Sequence, residues 1–336
     1  MPTAPLARDL AVAAELLLAA TDVTLLAHVN PDADALGSAL ALGLALRRRG
    51  ADVRVSFGAP DEVPASLRGL DTAGLLVPAA EVPRTSGLLV ACDTGSRSRL
   101  GPLVDRLEPT VAAGGSVLVI DHHVSNDRFG THHLVDDTAE ATAVLVLAVL
   151  DEMGVELDAA IARCLYAGLV TDTSSFRRAT PAIHRTAARL IEAGVDPTVT
   201  AREVMDTHPV AWLPFLARVL GRAVFEPDAA GGLGLVHTAV HLSDMTGVRT
   251  EEVESVVSVL AGTAEAEVAL VLKEIGPDRW AGSLRAVGAV DVRAVAAVVG
   301  GGGHRLAAGF TTDGTLPDIL GTLRAALRKP VLLVTS

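Results

Sequence analysis

The sequence predicts an α/β protein with two domains: an N-terminal domain built on a parallel sheet, and a smaller C-terminal α/β domain joined to it by a helical connector. Three observations support this prediction. Short apolar runs alternate with stretches of helical periodicity through the first half of the chain. A helical stretch with several prolines follows, and then a second, shorter alternation of strands and helices. The length of 336 residues also suits two domains, since a domain usually has about 100–200 residues.

The first half contains four apolar runs that are short enough to be strands and are bounded by glycine or polar residues. Helical periodicity fills much of the sequence between them, and Gly50 is expected to end the second helix. This alternation is typical of βαβ units, which build a parallel sheet with its binding sites at the carboxyl ends of the strands. In chain order we predict a helix at 6–20, a strand at 23–27, a helix at 35–49, strands at 53–57, 87–91 and 116–120, and helices at 138–153 and 158–170.

Residues 181–220 are predicted to form the connector, because their helical periodicity is interrupted by Pro197, Pro209 and Pro214. The rest of the chain is predicted to be a compact α/β domain. The predicted domain ranges are therefore 1–180, 181–220 and 221–336. Within the last range we predict a strand at 234–241, a helix at 250–261, strands at 267–273 and 280–285, and a helix at 291–299 followed by a glycine cluster.

The overall charge argues against a protein that coats long nucleic acids. Lys and Arg number 28 and Asp and Glu number 40, which leaves a net charge of −12 that repels polyphosphate chains. Aromatic residues make up only 3% of the chain, whereas long single strands are usually held by stacking on aromatic rings. A short anionic substrate remains compatible with this composition, because bound cations can invert the local field.

Other features of the sequence indicate a cytoplasmic protein without a membrane partner. No segment has the roughly 20 consecutive apolar residues of a membrane span, and the N-terminus lacks the pattern of a signal peptide. Cys92 and Cys164 both lie in apolar runs, so we expect buried thiols, as in a reducing compartment.

Four clusters of acidic residues and histidines follow predicted strands or end a predicted helix. Three of them have an ordinary explanation when taken alone: an Asn-Pro-Asp turn in which Asp34 caps the next helix, a strand-terminating Asp93, and a solvated helix end at Asp172. Two adjacent histidines behind Asp121 are less easily explained as surface residues. Three clusters, however, fall where one crevice would collect them, and the ligand types suit two divalent ions of the Mn²⁺ or Mg²⁺ kind. The clusters are His28-Val29-Asn30-Pro31-Asp32-Ala33-Asp34, Asp93, Asp121-His122-His123 and Asp172.

Taken in order, these motifs resemble those of the DHH phosphoesterase family: His28-x3-Asp32-x-Asp34, Asp93, Asp121-His122-His123 and Asp172. The later segment that begins with Gly300 and contains Gly303-His304 resembles the signature of the substrate domain associated with DHH domains. The resemblance covers nearly the whole chain. It implies a DHH catalytic domain at 1–180 and a DHH-associated substrate-binding domain at 221–336.

The resemblance also implies two metal sites that share Asp93. One ion would be held by His28, Asp32 and Asp93, and the other by Asp34, Asp93, His122 and Asp172. A water between the ions would be the nucleophile. Mn²⁺ is the expected metal because histidines are among the ligands, with Mg²⁺ or Co²⁺ as alternatives.

Further roles follow from the resemblance for residues beside the metal ligands. Asp121 would orient the histidine pair, and His123 would face the substrate, where it donates to a phosphate oxygen or assists the leaving group. Asn30 either positions the substrate or shapes the Asn-Pro turn. Arg99 matches an arginine of the family that binds substrate, with an ordinary solvated loop arginine as the alternative.

The second domain offers a further set of candidate substrate-binding residues. The backbone N–H groups of Gly301, Gly302 and Gly303 could form a nest for an anion, with His304 as an added donor. The alternative is a flexible turn. Arg285 corresponds to an arginine that grips the substrate phosphate in the family, where a planar bidentate donor suits the task. The family usually continues with serine, but Ala286 follows here, so no serine contact is expected at that position.

Length and layout favour the short oligoribonuclease (nanoRNase) and pAp phosphatase group of the family over its long exonucleases and its membrane-anchored members. This resemblance implies hydrolysis of RNAs of a few nucleotides and of 3′-phosphoadenosine 5′-phosphate (pAp), with the linear dinucleotide pApA as a further candidate. The alternatives are a pyrophosphate or polyphosphate hydrolase with the same dimetal site, and a non-catalytic nucleotide sensor. A homodimer is the expected assembly, since it is the commonest closed oligomer.

Overall fold

The structure of the protein is a computed structural model that describes residues 4–328 and 330–333. The ends of the predicted ranges 1–180 and 221–336 therefore lie outside the described residues. The chain divides into two compact units, Met1–Thr207 and His208–Ser336. None of the helices within the described ranges is long and apolar enough to cross a membrane.

The first unit is built on a five-stranded sheet in the order β2-β1-β3-β4-β5, and every neighbouring pair of strands is parallel. The predicted α/β fold with a parallel sheet is confirmed. The elements in chain order are α1 (Ala4–Ala19), β1 (Asp22–Ala27), α2 (Ala33–Arg48), β2 (Asp52–Phe57), β3 (Leu88–Cys92), α3 (Leu107–Ala112), β4 (Ser116–Asp121), β5 (His132–Val135), α4 (Thr142–Glu152), α5 (Ala159–Asp172), α6 (Pro181–Glu192) and α7 (Pro197–Met205).

The central strands are apolar almost throughout because both faces of the sheet are covered. Leu88 and Val90 of β3 belong to one hydrophobic core, whereas the intervening Leu89 and Ala91 belong to a second core. Since successive side chains of a strand point to opposite faces, the two cores lie on opposite faces of the sheet. Short, continuous apolar runs are therefore the signal by which these strands could be predicted.

The strand β5 was not predicted from the sequence. Its residues include His132 and His133. The strand lies at the edge of the sheet, pairs only with β4 among the described strands, and has a partly exposed face. A short edge strand needs no continuous apolar run, and for this reason the pattern of apolar residues does not reveal it.

Two helices of the first unit, α2 and α5, approach each other unusually closely. A methyl group on Gly37 of α2 would lie 2.4 Å from the carbonyl oxygen of Cys164 in α5, so the backbones are in direct contact there. Both cysteines, Cys92 and Cys164, are buried thiols, as expected. The close packing brings the first turn of α2 beside the last turns of α5, where the candidate site lies.

The second unit contains a six-stranded mixed sheet in the order β10-β11-β9-β8-β7-β6, in which only β7 and β8 are parallel. The predicted second α/β sheet is confirmed, although β6, β10, β11 and α12 were not predicted. The elements are α8 (Trp212–Leu220), β6 (Val224–Glu226), the short α9 (Ala229–Gly232), β7 (Leu235–Val240), α10 (Thr250–Leu260), β8 (Val268–Gly276), β9 (Arg279–Ala286), α11 (Val292–Ala297), β10 (Gly302–Gly303), β11 (Ala307–Asp313) and α12 (Leu316–Leu327).

The predicted connector, residues 181–220, contains the boundary between the two units. Helices α6 and α7 pack against α5 in the first unit, whereas α8 packs against β7 in the second. The division falls between Thr207 and His208. Pro181 and Pro197 occupy the first turns of their helices, where the missing N–H of proline costs nothing, so these prolines begin helices instead of interrupting them.

Candidate metal centre

The candidate site of the first unit lies where the strands β1, β3 and β4 end, at their carboxyl ends. Their last residues lead into His28, Asp93 and the pair His122 and His123, and the helix α5 ends at Asp172 beside them. Three overlapping groups of side chains bring their nitrogen or oxygen atoms within 4.8 Å of one another. The groups are His28, Asp32 and Asp93; Asp34, His122 and Asp172; and Asp93, His122 and His123.

His28, which is buried, and His122, which is half-buried, present the same ring nitrogen to the carboxylates. Nδ1 of His28 donates to the carbonyl oxygen of Val29 at 2.8 Å, and Nδ1 of His122 donates to that of Ala139 at 3.1 Å. A carbonyl only accepts, so each hydrogen bond leaves the lone pair of the neutral ring on Nε2. Backbone acceptors of this kind are the usual way in which a protein orients histidine toward a metal.

The distances from these Nε2 atoms to the acidic oxygens suit shared coordination better than direct hydrogen bonding. Nε2 of His28 lies 3.5 Å from an oxygen of Asp32 and 3.5 Å from one of Asp93. Nε2 of His122 lies 3.5 Å from the other oxygen of Asp93 and 3.3 Å from Asp172. Two ligand atoms at right angles on one ion, each at about 2.1 Å from it, are about 3 Å apart. The donor set therefore fits divalent cations. One oxygen of Asp93 faces His28 and the other faces His122.

Asp32 and Asp34 each stabilise a different helix. Oδ1 of Asp32 accepts from the N–H groups of Asp34 and Ala35 and so caps α2, while its Oδ2 faces His28. The alternative interpretation that Asp34 caps α2 was wrong. The carboxylate of Asp34 is fully buried and accepts from the N–H groups of Thr142 at 2.6 Å and Ala143 at 2.9 Å, at the start of α4. These contacts fix α4 at Thr142, four residues later than predicted.

Asp93 is held in an unusual backbone conformation at the centre of the site. Its φ of 54° lies in the left-handed region, which costs free energy for residues other than glycine, and Asn30 has a φ of 52°. The hydroxyl of Thr142 donates to Oδ1 of Asp93 at 2.8 Å, so one helix start fixes both Asp34 and Asp93. Sequence reasoning missed Thr142, because its only signal was a hydroxyl ahead of an apolar helix.

The carboxyl groups of the site lie close together, and burial and mutual repulsion shift their pKa values. Burial, together with the charges of Asp172 and Asp93, raises the pKa of Asp34 well above its usual range. Burial and the charges of Asp32 and Asp93 raise the pKa of Asp172 to about 6, against the hydrogen bond from His122. The neighbouring histidines outweigh the effect of burial at Asp93, whose pKa is lowered. Crowded carboxylates of this kind are stabilised by a bound cation.

The histidines respond to the same charges. Burial by itself would lower the pKa of His28, but the charge and the hydrogen bond of Asp32 and the hydrogen bond of Asp93 raise it to about 10. Burial likewise opposes the protonation of His122, and the hydrogen bond to Asp172 and the charge of Asp93 raise its pKa to about 10. Positive charge is therefore strongly favoured at both histidine positions.

The next residue, His123, has a different partner from His122. Its Nδ1 lies 2.7 Å from Oδ1 of Asp121, which is completely buried, and the two histidine rings meet edge to face at 4.9 Å between centroids. This carboxylate acceptor fixes a proton on Nδ1 of His123. Asn126 donates to the other oxygen of Asp121. Sequence reasoning missed Asn126, for which no spacing rule gave a signal.

Two other predicted residues of the first unit lie on loops beside this site. The N–H of Val29 donates to the carbonyl oxygen of Arg99 at 2.7 Å, and the N–H of Asn30 donates to that of Ala59 at 2.7 Å. The loop that carries Arg99 is therefore bound directly to the loop that carries His28. The structure brings Asn30 and Arg99 next to the predicted metal ligands in the fold.

The predicted substrate residues of the second unit lie on or beside three consecutive strands at one edge of its sheet, β10, β11 and β9. Gly302 and Gly303 form β10, which pairs with Gly309 and Ala308 of β11. His304 then closes a tight turn, in which its N–H donates to the carbonyl oxygen of Ala307 at 2.7 Å. Ala307 is in turn the register partner of Arg285 on β9. Arg285 on β9 and the glycines of β10 thus lie on either side of one strand, β11.

Glycine is required by close packing at two positions of this segment. A Cβ atom on Gly301 would lie 2.4 Å from the carbonyl oxygen of Gly309, and Gly303 has a φ of 134°. Gly302 has open space where a side chain would be. The segment forms a hairpin with β11.

Comparison with known proteins assigns the family of the chain and, with it, a hydrolase of phosphoester bonds. The model of the DHH family N-terminal domain matches residues 22–169, and that of the DHHA1 domain matches residues 236–329. The chain belongs to the DHH family. The resemblance inferred from the motifs is confirmed.

Two relatives and one solved structure are informative. The chain is 33% identical over 292 residues to the bifunctional oligoribonuclease and PAP phosphatase NrnA of Thermus thermophilus, covering 85% of this chain and 83% of the relative. It is 30% identical over 156 residues to NrnA of Bacillus subtilis, covering 44% of this chain and 45% of the relative. The crystal structure of an exopolyphosphatase-related protein from Bacteroides fragilis has a TM-score of 0.84 at 21% identity and covers 96% of both chains. That likeness establishes the fold.

Proposed function

We propose that this protein hydrolyses short oligoribonucleotides and pAp with the help of two divalent cations, with pApA as a further substrate. The observation that carries the proposal is the overlap of the ligand groups. Asp93 offers one oxygen to His28 and the other to His122, so two ions could share this one carboxylate. A single buried carboxylate between two histidine-containing groups is the arrangement that a dimetal phosphoesterase needs.

The residues that would hold the ions are those of the two groups joined by Asp93. One ion would be held by His28, Asp32 and Asp93, and the other by Asp34, Asp93, His122 and Asp172. When bound, the ions would activate a water molecule and neutralise charge on the phosphoryl oxygens. Mn²⁺ is the metal that mixed nitrogen and carboxylate ligands favour, with Mg²⁺ and Co²⁺ as alternatives.

The chain's own polar groups would prepare and complete the reaction. The hydrogen bonds from Nδ1 of His28 and His122 to carbonyl oxygens keep both rings turned toward the carboxylates. Asp121 holds Nδ1 of His123, so that Nε2 of this histidine donates a hydrogen bond to a phosphate oxygen or a proton to the leaving group. Arg99, and Asn30 in its left-handed conformation, would contact the substrate beside the metal ligands.

The second unit supports the choice of substrate. Arg285 on β9 and the glycine segment of β10 flank the same strand, β11, where a guanidinium group and backbone N–H groups could bind a terminal phosphate. The relative from Thermus thermophilus, which covers both units of this chain, is named for oligoribonuclease and PAP phosphatase activities. The net charge of −12 supports a small substrate over a long nucleic acid.

We also propose that the protein acts in the cytoplasm, where its two buried thiols would stay reduced, and that it forms a homodimer. Size-exclusion chromatography with light scattering would measure the assembly directly, and a mass of one chain would contradict the second part of this proposal.

The proposal is tested by one hydrolysis panel, run separately with Mn²⁺, Mg²⁺ and Co²⁺. The substrates are an RNA dinucleotide, pAp, pApA, pyrophosphate and a long single-stranded RNA. Asp93→Asn serves as the inactive variant, and Asp105→Asn makes the same change at an exposed aspartate of the first unit. We expect turnover of the short nucleotides by the wild type and by Asp105→Asn, and its loss in Asp93→Asn.

Each other outcome has a definite meaning. If pyrophosphate is turned over much faster than the nucleotides, the dimetal chemistry stands but the substrate class is wrong. If the long RNA is the preferred substrate, the interpretation of the second unit as a domain that binds short nucleotides is wrong. Nucleotide binding without any hydrolysis would indicate a sensor and would contradict the proposed function as a whole.

A further inference from the structure

Asn126 joins the Asp121-His122-His123 motif to the loop that follows β3. Its Nδ2 donates to Oδ2 of Asp121 at 2.5 Å and to the carbonyl oxygen of Thr94 at 3.2 Å. Its backbone N–H donates to the carbonyl oxygen of His123 at 3.1 Å, and its Oδ1 accepts from the N–H of Arg128 at 2.7 Å. All the polar groups of this side chain are thus engaged, which fixes its orientation.

The carboxylate of Asp121 depends on this contact for its own orientation. Asp121 is completely buried, and a buried carboxylate needs a hydrogen-bond donor for each oxygen. His123 donates to Oδ1 and Asn126 to Oδ2. With Oδ2 held by Asn126, the carboxylate cannot rotate, and Oδ1 stays directed at Nδ1 of His123.

We propose that Asn126 is a positioning residue that fixes the ring of His123 through Asp121. This inference rests on the proposed role of His123 in the reaction. Without the Nδ2 donor, the carboxylate of Asp121 would turn toward another donor, and the ring of His123 would lose its fixed direction. A small misplacement of a group that acts on the reacting phosphate is enough to slow the reaction strongly.

The segment that carries Asn126 also holds two loops together, and this second role has to be separated from the first. The N–H of Asp127 donates to the carbonyl oxygen of Gly95 at 3.0 Å, and the N–H of Arg97 donates to Oδ2 of Asp127 at 3.3 Å. These bonds join the loop after β4 to the loop after β3. Asp127 makes its contacts without touching Asp121, so it provides a matched control for loop attachment.

The test uses two variants of Asn126 and that control. Asn126→Asp keeps the size and the acceptor for Arg128 but replaces the donor to Asp121 with an oxygen, and Asn126→Ala removes the side chain. We expect kcat to fall by about 10–100-fold in both, with KM and the affinity for Mn²⁺ changed by less than about threefold. Asp127→Ala should keep kcat within about threefold of the wild type, because only loop attachment is weakened.

A double-mutant cycle distinguishes positioning from a merely structural role. If Asn126 acts through His123, Asn126→Ala should cause no further loss of kcat in a His123→Ala background. A loss of equal size in both backgrounds, or an equal loss in Asp127→Ala, would overturn the proposal. Thermal melting with and without Mn²⁺ would show whether each variant still folds and binds metal.

Proton NMR supplies a readout that does not depend on activity. The Nδ1–H of His123, hydrogen-bonded to a buried carboxylate, should give a downfield resonance that is identified by its absence in His123→Ala. We expect it in the wild type and in Asp127→Ala, and we expect its loss in Asn126→Asp. Its persistence in Asn126→Asp would overturn the inference about Asn126. Unchanged kcat in His123→Ala would instead contradict the role of His123 in the proposed function.

Discussion

Gly168 of α5 lies directly against Asp34 of α2. A methyl group on Gly168 would lie 2.5 Å from Oδ1 of Asp34 and 2.9 Å from its Cα, closer than real contacts allow. Glycine within a helix costs about 1 kcal/mol relative to alanine, so its presence here reflects the space that the buried carboxylate needs. The packing of two helices thus determines where one predicted metal ligand can lie.

Gly168→Ala should therefore weaken metal binding. The added methyl group would displace Asp34 from the N–H groups of Thr142 and Ala143, and we expect the affinity for Mn²⁺ to fall by about tenfold or more. Isothermal titration would measure it. Gly43→Ala makes the same change in α2, where the new methyl group meets only the side chains of Leu75, Val55 and Leu25, and its affinity should be unchanged. Equal affinities in the two variants would contradict the steric argument.

Asp121→Asn should slow the reaction while leaving metal binding intact. The carboxylate of Asp121 stabilises the protonated ring of His123, and an amide in its place would not, so the ring would lose the proton that Nε2 donates. Replacing the aspartate that is paired with a catalytic histidine by asparagine lowers kcat by up to about 10⁴-fold in other hydrolases. We expect kcat to fall by about 10²–10⁴-fold here. Steady-state kinetics at saturating Mn²⁺ would measure the loss. A tenfold or larger change in Mn²⁺ affinity would show that Asp121 supports the metal instead.

Asp172→Asn should stabilise the metal-free protein, and the gain should depend on pH. The pKa of this carboxyl is raised from 3.8 to about 6 in the folded protein, chiefly by burial and by the charges of Asp32 and Asp93. The unfolded chain therefore loses the proton first as the pH rises, and the folded state loses stability between about pH 4 and pH 6. Asparagine removes this penalty, so the rise in Tm should be larger at pH 7.5 than at pH 4.5.

The same variant should lose the stabilisation that Mn²⁺ gives to the wild type, because one ligand is missing. Differential scanning calorimetry at the two pH values, with and without Mn²⁺, would measure both effects. An equal change in Tm at pH 4.5 and pH 7.5 would mean that the charge of Asp172 is not the cause.

Arg285→Ala should weaken the binding of nucleotides without affecting the metal site. If the guanidinium group holds a substrate phosphate, its removal should raise KM for pAp and for an RNA dinucleotide by about tenfold or more, since charged hydrogen bonds contribute about 1.5–3 kcal/mol each. Arg279→Ala removes an exposed arginine from the same strand, β9, and should leave KM unchanged. Similar KM values for both variants would exclude Arg285 from the substrate site.

Some elements of the fold could be predicted from the sequence and others could not, for identifiable reasons. The strands β1, β3 and β4 are buried on both faces, so each is a short apolar run with a clear beginning and end. The edge strand β5 and the small-residue strand β11 have no such pattern, because one face or one edge of each needs no apolar cover. Their place is fixed by pairing with another strand of the sheet.

For the candidate site, the sequence by itself determined the residues that could act as ligands. The carboxyl ends of parallel strands meet at one edge of the sheet, so His28, Asp93 and His122 were expected together from their positions after predicted strands. The order and spacing of the motifs also indicated the family. These are local signals, since each depends on a few consecutive residues and on the strand that precedes them.

Only the tertiary structure decided how those ligands are held. Thr142, Asn126 and Gly168 come from separate segments, and each acts on a ligand or a catalytic candidate that is 5 to 134 residues away in the chain. Their hydroxyl, amide and missing side chain are unremarkable until packing brings them within hydrogen-bond or van der Waals distance. Short-range contacts between distant segments leave no periodic trace in the sequence, and for this reason the groups that orient the site become visible only in the folded chain.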